Sequence, residues 1–252
     1  MKSPWVDFSS TITIVVTNTG TEFVVHKHVA CKKSPFVKGA MKEHTQEAQE
    51  QKIEFADWDD DEAMRTIIAW MYQGRSVLCL PASHLDDLSA ATQVDRLQSR
   101  LVKLYILADR MMMAQLKNNI VDWFHSISRQ HYMSSDAMRI LFETGPSECH
   151  LKTFAVWDMT QQLDYKLRGG DNVTDELELR RTQPFDIPVV AHAVLQMLLH
   201  GQPEWTDICA FHEHEKNEDR SKCEADSSWV RAEDDEVMLD GSVDASEETG
   251  NH

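Results

Sequence analysis

The chain has 252 residues and carries 42 acidic and 25 basic side chains, which gives a net charge of -17 at neutral pH. A phosphate backbone repels such a charge, so the composition argues against direct nucleic-acid binding by the whole chain. No stretch approaches the roughly 20 apolar residues that a membrane span needs.

The first residues show no apolar signal core, and the five cysteines are an odd number without dense spacing. Secreted disulfide scaffolds carry dense, paired cysteines. The sequence therefore predicts reduced thiols and a location in the cytoplasm, the nucleus or both.

Three short strands are predicted near the start of the chain. In residues 11–17, apolar side chains alternate with threonines, which is typical of a half-buried strand. Residues 22–26 predict the second strand of a hairpin, and residues 18–20 supply its turn because Asn and Gly tolerate positive φ. Residues 53–55 predict a third strand. The polar residues 43–52 predict an exposed loop before it.

Helix signals accompany and follow the strands. Ser34 suits an N-cap and Pro35 suits the first turn of a helix, so a helix is predicted to begin there. Four acids at residues 59–62 stand where another helix begins, and negative charge at that end favours the helix dipole. Apolar residues then recur at helical spacing up to Gly74, which suits a helix end.

The next part of the chain predicts further helices. Residues 76–81 predict a short edge strand, and residues 82–93 a linker or a weak helix. Strong amphipathic helices are predicted from residue 94 and from residue 116. Three more helices are predicted beyond residue 134, the last with Pro188 in its first turn. From about residue 206 the composition turns acidic, since -11 of the net charge lies in residues 206–252.

Five motifs, taken in this order, carry a family resemblance. A first strand, Thr13-Ile14-Val15-Val16, precedes Val25-His26-Lys27 at the end of the second strand. Ser34-Pro35-Phe36 opens a helix, and Tyr72-Gln73-Gly74 closes the next long one. The run from Leu104 to Asp109 stands in the last helix pair. This order resembles the BTB/POZ domain, and its pairing with an acidic tail is similar to many fungal BTB proteins.

The resemblance implies an α/β (α+β) BTB/POZ fold, in which helices flank a small mixed sheet. We place the BTB domain at residues 6–128, a C-terminal helical extension at residues 129–205 and an acidic tail, expected to be disordered, at residues 206–252. The extension is helical and apolar but carries no specific motif.

The resemblance also implies a function in protein–protein association. The expected role is an adaptor that links a client protein to a cullin ubiquitin ligase. If the chain forms a homodimer, the N-terminal segment and the first helix are expected to form the interface. The alternative is a nuclear regulatory scaffold without a ligase connection. A zinc-dependent enzyme is a remote alternative, because the chain has no phosphate loop, dinucleotide fingerprint or nucleophile motif. An enzyme is therefore not expected.

Candidate protein-interaction residues follow from these motifs. In cullin-binding BTB adaptors an apolar-x-Glu triplet inserts its apolar side chain into the cullin, and Met41-Lys42-Glu43 stands at the corresponding place. The plainer interpretation is a helix end with an exposed Met41. Phe36 and Tyr72 are further candidates for the interface. His26 is interpreted as satisfying backbone groups where its strand ends.

A cluster of metal-binding residue types begins at the predicted tail. Cys209, His212, His214 and Cys223 would make a closed tetrahedral set for a structural zinc ion. His212 and His214 would point the same way along an extended segment. The spacing is not that of a standard zinc finger. The alternative interpretation is a solvated acidic tail.

Two positions depart from the BTB pattern. Many BTB domains have Asp where Thr11 stands, so a charged pocket of the repressor type is not expected here. The family favours Leu where Ala30 stands, and a comparable core truncation costs about 2–5 kcal/mol if nothing refills the site. Val29 or Cys31 is expected to repack there.

Overall fold

The computed structural model describes residues 9–78, 88–128, 131–167, 187–200 and 208–214. The described residues 9–78 contain the three strands of the sheet and four α-helices. In chain order these are β1 (Thr11–Val16), β2 (Thr21–His26), α1 (Lys27–Lys33), α2 (Pro35–Ala40), α3 (Gln46–Glu50), β3 (Lys52–Phe55) and α4 (Asp61–Gln73). The helices that follow are a 3₁₀ turn (Gly74–Leu78), α5 (Leu88–Arg110), α6 (Ala114–Ile127), α7 (Ser135–Thr144), α8 (His150–Leu167), α9 (Pro188–His200) and a second 3₁₀ turn (Ile208–Phe211).

The sheet is mixed, with strand order β2-β1-β3. β1 pairs with β2 antiparallel, with Ile14 opposite Phe23, and with β3 in parallel, with Ile14 opposite Ile53. Gly20 has a φ of 72° in the hairpin turn, a conformation that glycine adopts without strain. The three predicted strands and the small mixed sheet are confirmed.

Capping residues in the local sequence set the bounds of several helices. The carboxylate of Asp60 accepts the N–H of Ala63 at the start of α4, and Gly74 ends that helix with a φ of 67°. Thr45 caps α3 through the N–H of Ala48. The prediction that residues 43–52 form only a loop is therefore wrong for α3 and for the start of β3.

The predicted edge strand at residues 76–81 is also wrong over its described part. Gly74–Leu78 forms a 3₁₀ turn that contacts α6, and Leu78 is buried in the core. The apolar residues that suggested a strand are explained in part by the burial of Leu78 at the end of this turn. Residues 79–81 lie outside the described residues. α5 then begins at Leu88, within the segment predicted as a linker or a weak helix.

A single hydrophobic core extends from β1 to α9. α7 packs on α5, α8 packs on α6 and α7, and α9 packs on α8. The buried Gln98 joins α5 to the segment before α7. Its amide group donates to the carbonyl of Tyr132 at 2.9 Å and accepts the N–H of Ser134 at 2.6 Å. The predicted division at residue 128 thus falls inside one packed body and stays a prediction.

The second 3₁₀ turn and the residues after it, up to His214, lie on α6 and α8. The sequence placed these residues in an acidic tail, whereas Phe211 and His212 are buried. Residues 215–252, which contain the rest of the predicted tail, lie outside the described residues. Within the part of the chain that the structure describes, no helix has the length and apolarity to cross a membrane.

Candidate protein-interaction surfaces

The end of β2 and the end of α4 present two exposed side chains, Val24 and Tyr72, and the half-buried His26. The hydroxyl of Tyr72 accepts the backbone N–H of His26 at 3.0 Å and lies 2.7 Å from Nδ1 of the same residue. Val24 stands two residues before His26 on the outer face of the sheet. Val24 is 68% exposed and Tyr72 is 47% exposed. We call these three residues the outer patch.

The Ser34-Pro35-Phe36 motif fixes the start of α2 against the hydrophobic core. Oγ of the buried Ser34 accepts the N–H of Val37 and donates to the carbonyl of Met111 at 2.7 Å, which ties α2 to the turn between α5 and α6. Phe36 is half-buried, with its ring centroid 5.9 Å from that of Phe55. Phe36 is therefore held against the core, and only part of its ring is available to a partner.

Met41 is buried, with 7% of its surface exposed, and it belongs to the hydrophobic core. Its N–H donates to the carbonyl of Val37 at 2.9 Å, so it ends α2 with its apolar side chain among other core residues. Both interpretations of this triplet assumed an exposed Met41, and both are wrong in this respect. Glu43 is exposed, as a contact residue must be.

The three described residues of the predicted zinc set have different partners, although the ring centroids of His212 and His214 lie 6.2 Å apart. Sγ of Cys209 lies 3.0 Å from Nε2 of His214, whereas Nε2 of His212 lies 2.9 Å from a carboxylate oxygen of Asp122. The expected extended segment is wrong, because a 3₁₀ turn at residues 208–211 sends the two imidazoles to different partners. In the described part of the chain, no three His, Cys, Asp or Glu side chains are grouped to hold a metal ion. Cys223 lies outside it, so the zinc site stays a prediction.

Glu213 is held by two neighbouring residues of α6. Nδ2 of Asn118 donates to the carbonyl of Glu213 at 3.1 Å, and the N–H of Glu213 donates to Oδ1 of Asn118 at 2.8 Å. The carboxylate of Glu213 forms an ion pair with the buried Lys117, which also contacts Asp109 at 2.7 Å. Burial alone would lower the pKa of Lys117, but the two carboxylates outweigh it and the pKa is raised.

Phe211 fills an aromatic pocket of α8. Its ring centroid lies 5.3 Å from that of Phe154, edge to face, and 5.4 Å from that of Trp157. Aromatic rings at these distances and angles attract each other beyond the burial of their area. Phe211 is fully buried, so this pocket is closed by the chain itself.

Residues 4–120 match the BTB/POZ domain family. This part of the chain is a BTB/POZ domain. It contains the three-stranded mixed sheet, helices α1 to α5 and the first half of α6. No curated protein matches the chain. A BTB domain is a protein-interaction module, and that much of the predicted function is supported.

The structure shows the surroundings of Ala30 and Thr11, the two positions that depart from the BTB pattern. Ala30 is fully buried, and Val29 and Cys31 are half-buried against the same core. These neighbours contribute apolar atoms beside the position where the family favours Leu. Burial raises the pKa of the Cys31 thiol. Thr11 is exposed and pairs with His26 in the sheet, so it brings no charge to the BTB domain.

Sequence reasoning missed Val24 and the residues of α6 that hold the C-terminal segment. The exposure of Val24 could have been predicted, because a strand residue between two inward-facing residues must face outward. The contacts of Asn118 and Asp122 could not have been predicted, because their partners lie 95 and 90 residues away in the chain. Polar residues in an amphipathic helix are usually exposed, and only the fold shows that Asp122 is buried.

Proposed function

We propose that the chain is a BTB adaptor, in which the BTB domain binds the scaffold of a cullin-type ubiquitin ligase and the C-terminal helices bind a client protein. The outer patch is the observation that carries the first half of this proposal. An exposed apolar or aromatic anchor beside polar groups can dominate the energy of an interface.

The BTB side offers Tyr72 and Val24 as apolar anchors and Glu43 as an exposed acidic contact. Tyr72 is well suited, because its hydroxyl is already held by His26 and the ring loses little conformational freedom on binding. Met41 is not an anchor in this arrangement, since it belongs to the core. The cullin connection is supported by the BTB domain and by the position of Glu43.

The client side is supported by helix α9. Val190 and Val194 are buried and the helix packs on α8, whereas Val189 and Leu195 are 64% and 51% exposed. Large apolar side chains exposed on both sides of a buried stripe indicate a helix that has room for a partner. α9 has no substantial contact with the sheet, so the two proposed surfaces lie on different elements of the described residues.

A second candidate function is a nuclear regulatory scaffold without a ligase connection. The burial of Met41 favours it, because the apolar residue that cullin-binding adaptors insert is not presented here. In this alternative the outer patch binds another protein. Homodimerisation is compatible with both candidates and also remains a proposal.

Calorimetry of the full chain with a purified cullin N-terminal domain tests the adaptor. Met41→Asp is unsuitable because it places a charge in the core. Glu43→Lys and Tyr72→Ala change exposed residues, and each is expected to weaken binding at least tenfold, about 1.4 kcal/mol. Glu143→Lys makes the same charge change at an exposed position of α7 and serves as the control.

Cullin binding by the unaltered chain and by Glu143→Lys, weakened in the other two variants, supports the adaptor. Absence of cullin binding by a folded, unaltered chain contradicts it and favours the nuclear scaffold. Equal binding by all four proteins means that the outer patch and Glu43 are not the interface.

A further inference from the structure

The segment from Cys209 to His214 occupies a groove between α6 and α8 in the way that a bound peptide would. One residue, Phe211, enters an aromatic pocket, and the next two are held by polar side chains of α6. We call this surface the α6–α8 groove. It lies on different elements from the outer patch, and nothing in the proposed adaptor function depends on it.

We propose that the α6–α8 groove is a peptide-recognition site, and that the chain's own segment occupies it in place of a partner peptide. The partner peptide would carry an aromatic residue followed two positions later by glutamate, as Phe211 and Glu213 are spaced here. It would come from another protein, which binds when the chain's own segment leaves.

Three contacts give the groove its selectivity. Phe154 and Trp157 surround an aromatic ring, which buries a large apolar area. Asn118 exchanges two hydrogen bonds with a single backbone unit, which fixes the register of any peptide whatever its side chains. Lys117 is buried between Asp109 and Glu213, so it favours a second carboxylate two residues after the ring.

The chain's own segment is an incomplete ligand for this groove. Asp122 is buried and contacts His212 through Oδ1, but its Oδ2 has no hydrogen-bond partner among the described residues. The indole N–H of Trp157 is likewise buried and unpaired within the described part of the chain. Burying a polar atom without a hydrogen-bond partner is unfavourable. A peptide that supplied a donor to Asp122 or an acceptor to Trp157 would therefore compete well with the chain's own segment.

The experiment uses a fluorescently labelled peptide of residues 206–216 and the full chain, with binding followed by anisotropy. In Phe211→Ala the chain's own segment loses its anchor, so the groove opens to added peptide. We expect this variant to bind the peptide at least tenfold more tightly than the unaltered chain does. Asn118→Ala added to Phe211→Ala removes both backbone hydrogen bonds and is expected to weaken peptide binding at least tenfold.

A peptide with Ala in place of Phe211 is the matched control and is expected not to bind. Glu213→Lys in the full chain is a second way to open the groove, since it places a like charge beside Lys117 and leaves the aromatic pocket intact. Peptide binding by either folded variant, with no binding of the control peptide, supports the proposal. Equal binding of the two peptides, or no binding by either variant, overturns it.

Light scattering of the unaltered chain separates a partner's peptide from a second copy of this chain. We expect its mass not to depend on added peptide. A concentration-dependent dimer that dissociates when the peptide is added would place a second copy's segment in the groove and overturn the assignment to another protein.

Discussion

The BTB domain and the C-terminal segment from Cys209 to His214 are held in place in different ways. In the BTB domain, helices begin at residues that cap them locally, such as Asp60 and Ser34, and the sheet follows from alternation along β1. The C-terminal segment is held by side chains of helix α6 about 90 residues earlier, through Asn118 and Asp122. The structure of the BTB domain is therefore determined largely by residues that are close together in the sequence. The C-terminal segment depends on a few long-range contacts and is therefore the more easily exchanged.

The largest effect is expected in the BTB core. Ile14→Ala removes a fully buried side chain from the central strand, so the free energy of unfolding should fall by about 2–5 kcal/mol. Denaturant unfolding followed by circular dichroism measures it, with the exposed Val24→Ala on neighbouring β2 as the control. A loss below about 1 kcal/mol would show that this region is no more firmly packed than the C-terminal segment.

Phe211→Ala should cost less than its burial suggests. A Phe→Ala change in a rigid core costs about 3–5 kcal/mol. Here the segment can leave the α6–α8 groove without unfolding the helices, and the cost of local opening limits the loss. We expect a loss of less than about 3 kcal/mol in the same unfolding experiment. A loss equal to or above that of Ile14→Ala would mean that the segment belongs to the cooperative core.

Ser34→Ala tests a buried hydrogen bond that joins the start of α2 to the turn before α6. It removes the cap of α2 and leaves the carbonyl of Met111 without its buried donor. We expect a loss of about 2 kcal/mol in the free energy of unfolding. Ser126→Ala is the control, because the hydroxyl of Ser126 donates to the carbonyl of Trp123 within the same helix, and it should cost less than about 0.5 kcal/mol. Equal losses for the two variants would contradict this account.

A smaller, pH-dependent effect is expected at Asp60. Burial would raise its pKa, but hydrogen bonds from the N–H of Ala63 and from Lys103 outweigh burial and lower it. A lowered pKa stabilises the fold above the usual Asp value of about 3.9 and loses this contribution as the pH falls through the folded value. Asp60→Ala should cost about 1 kcal/mol at neutral pH.

The difference between Asp60→Ala and the unaltered chain should shrink as the pH falls below about 4, which unfolding curves at neutral and acidic pH would show. Asp59→Ala, at the exposed neighbouring position, is the control. A difference that stays constant over this range would mean that the carboxylate of Asp60 does not act through its charge.

Much of the fold was predictable because local physics decides it. Ser34 with Pro35, the acids before α4 and Pro188 at the start of α9 all act within one turn of helix. Leu78 and Met41 were misjudged because their burial depends on which surface lies opposite them.

The candidate site was less predictable than the fold. Tyr72 and Glu43 are exposed as an interface requires, although nothing in their local sequence shows it. The imidazole of His212 faces Asp122, and no sequence spacing between 122 and 212 indicates that pairing. Contacts between residues far apart in the sequence produce no periodic pattern from which they could be predicted.

Hydrogen exchange of the full chain, with and without a cullin N-terminal domain, tests the adaptor most directly. We expect slower amide exchange in β2 and at the end of α4, where the outer patch lies, and unchanged exchange in α6 and α8. Protection confined to α8 and α9, or no protection anywhere in a folded protein, would contradict the claim that the BTB domain binds the scaffold through the outer patch.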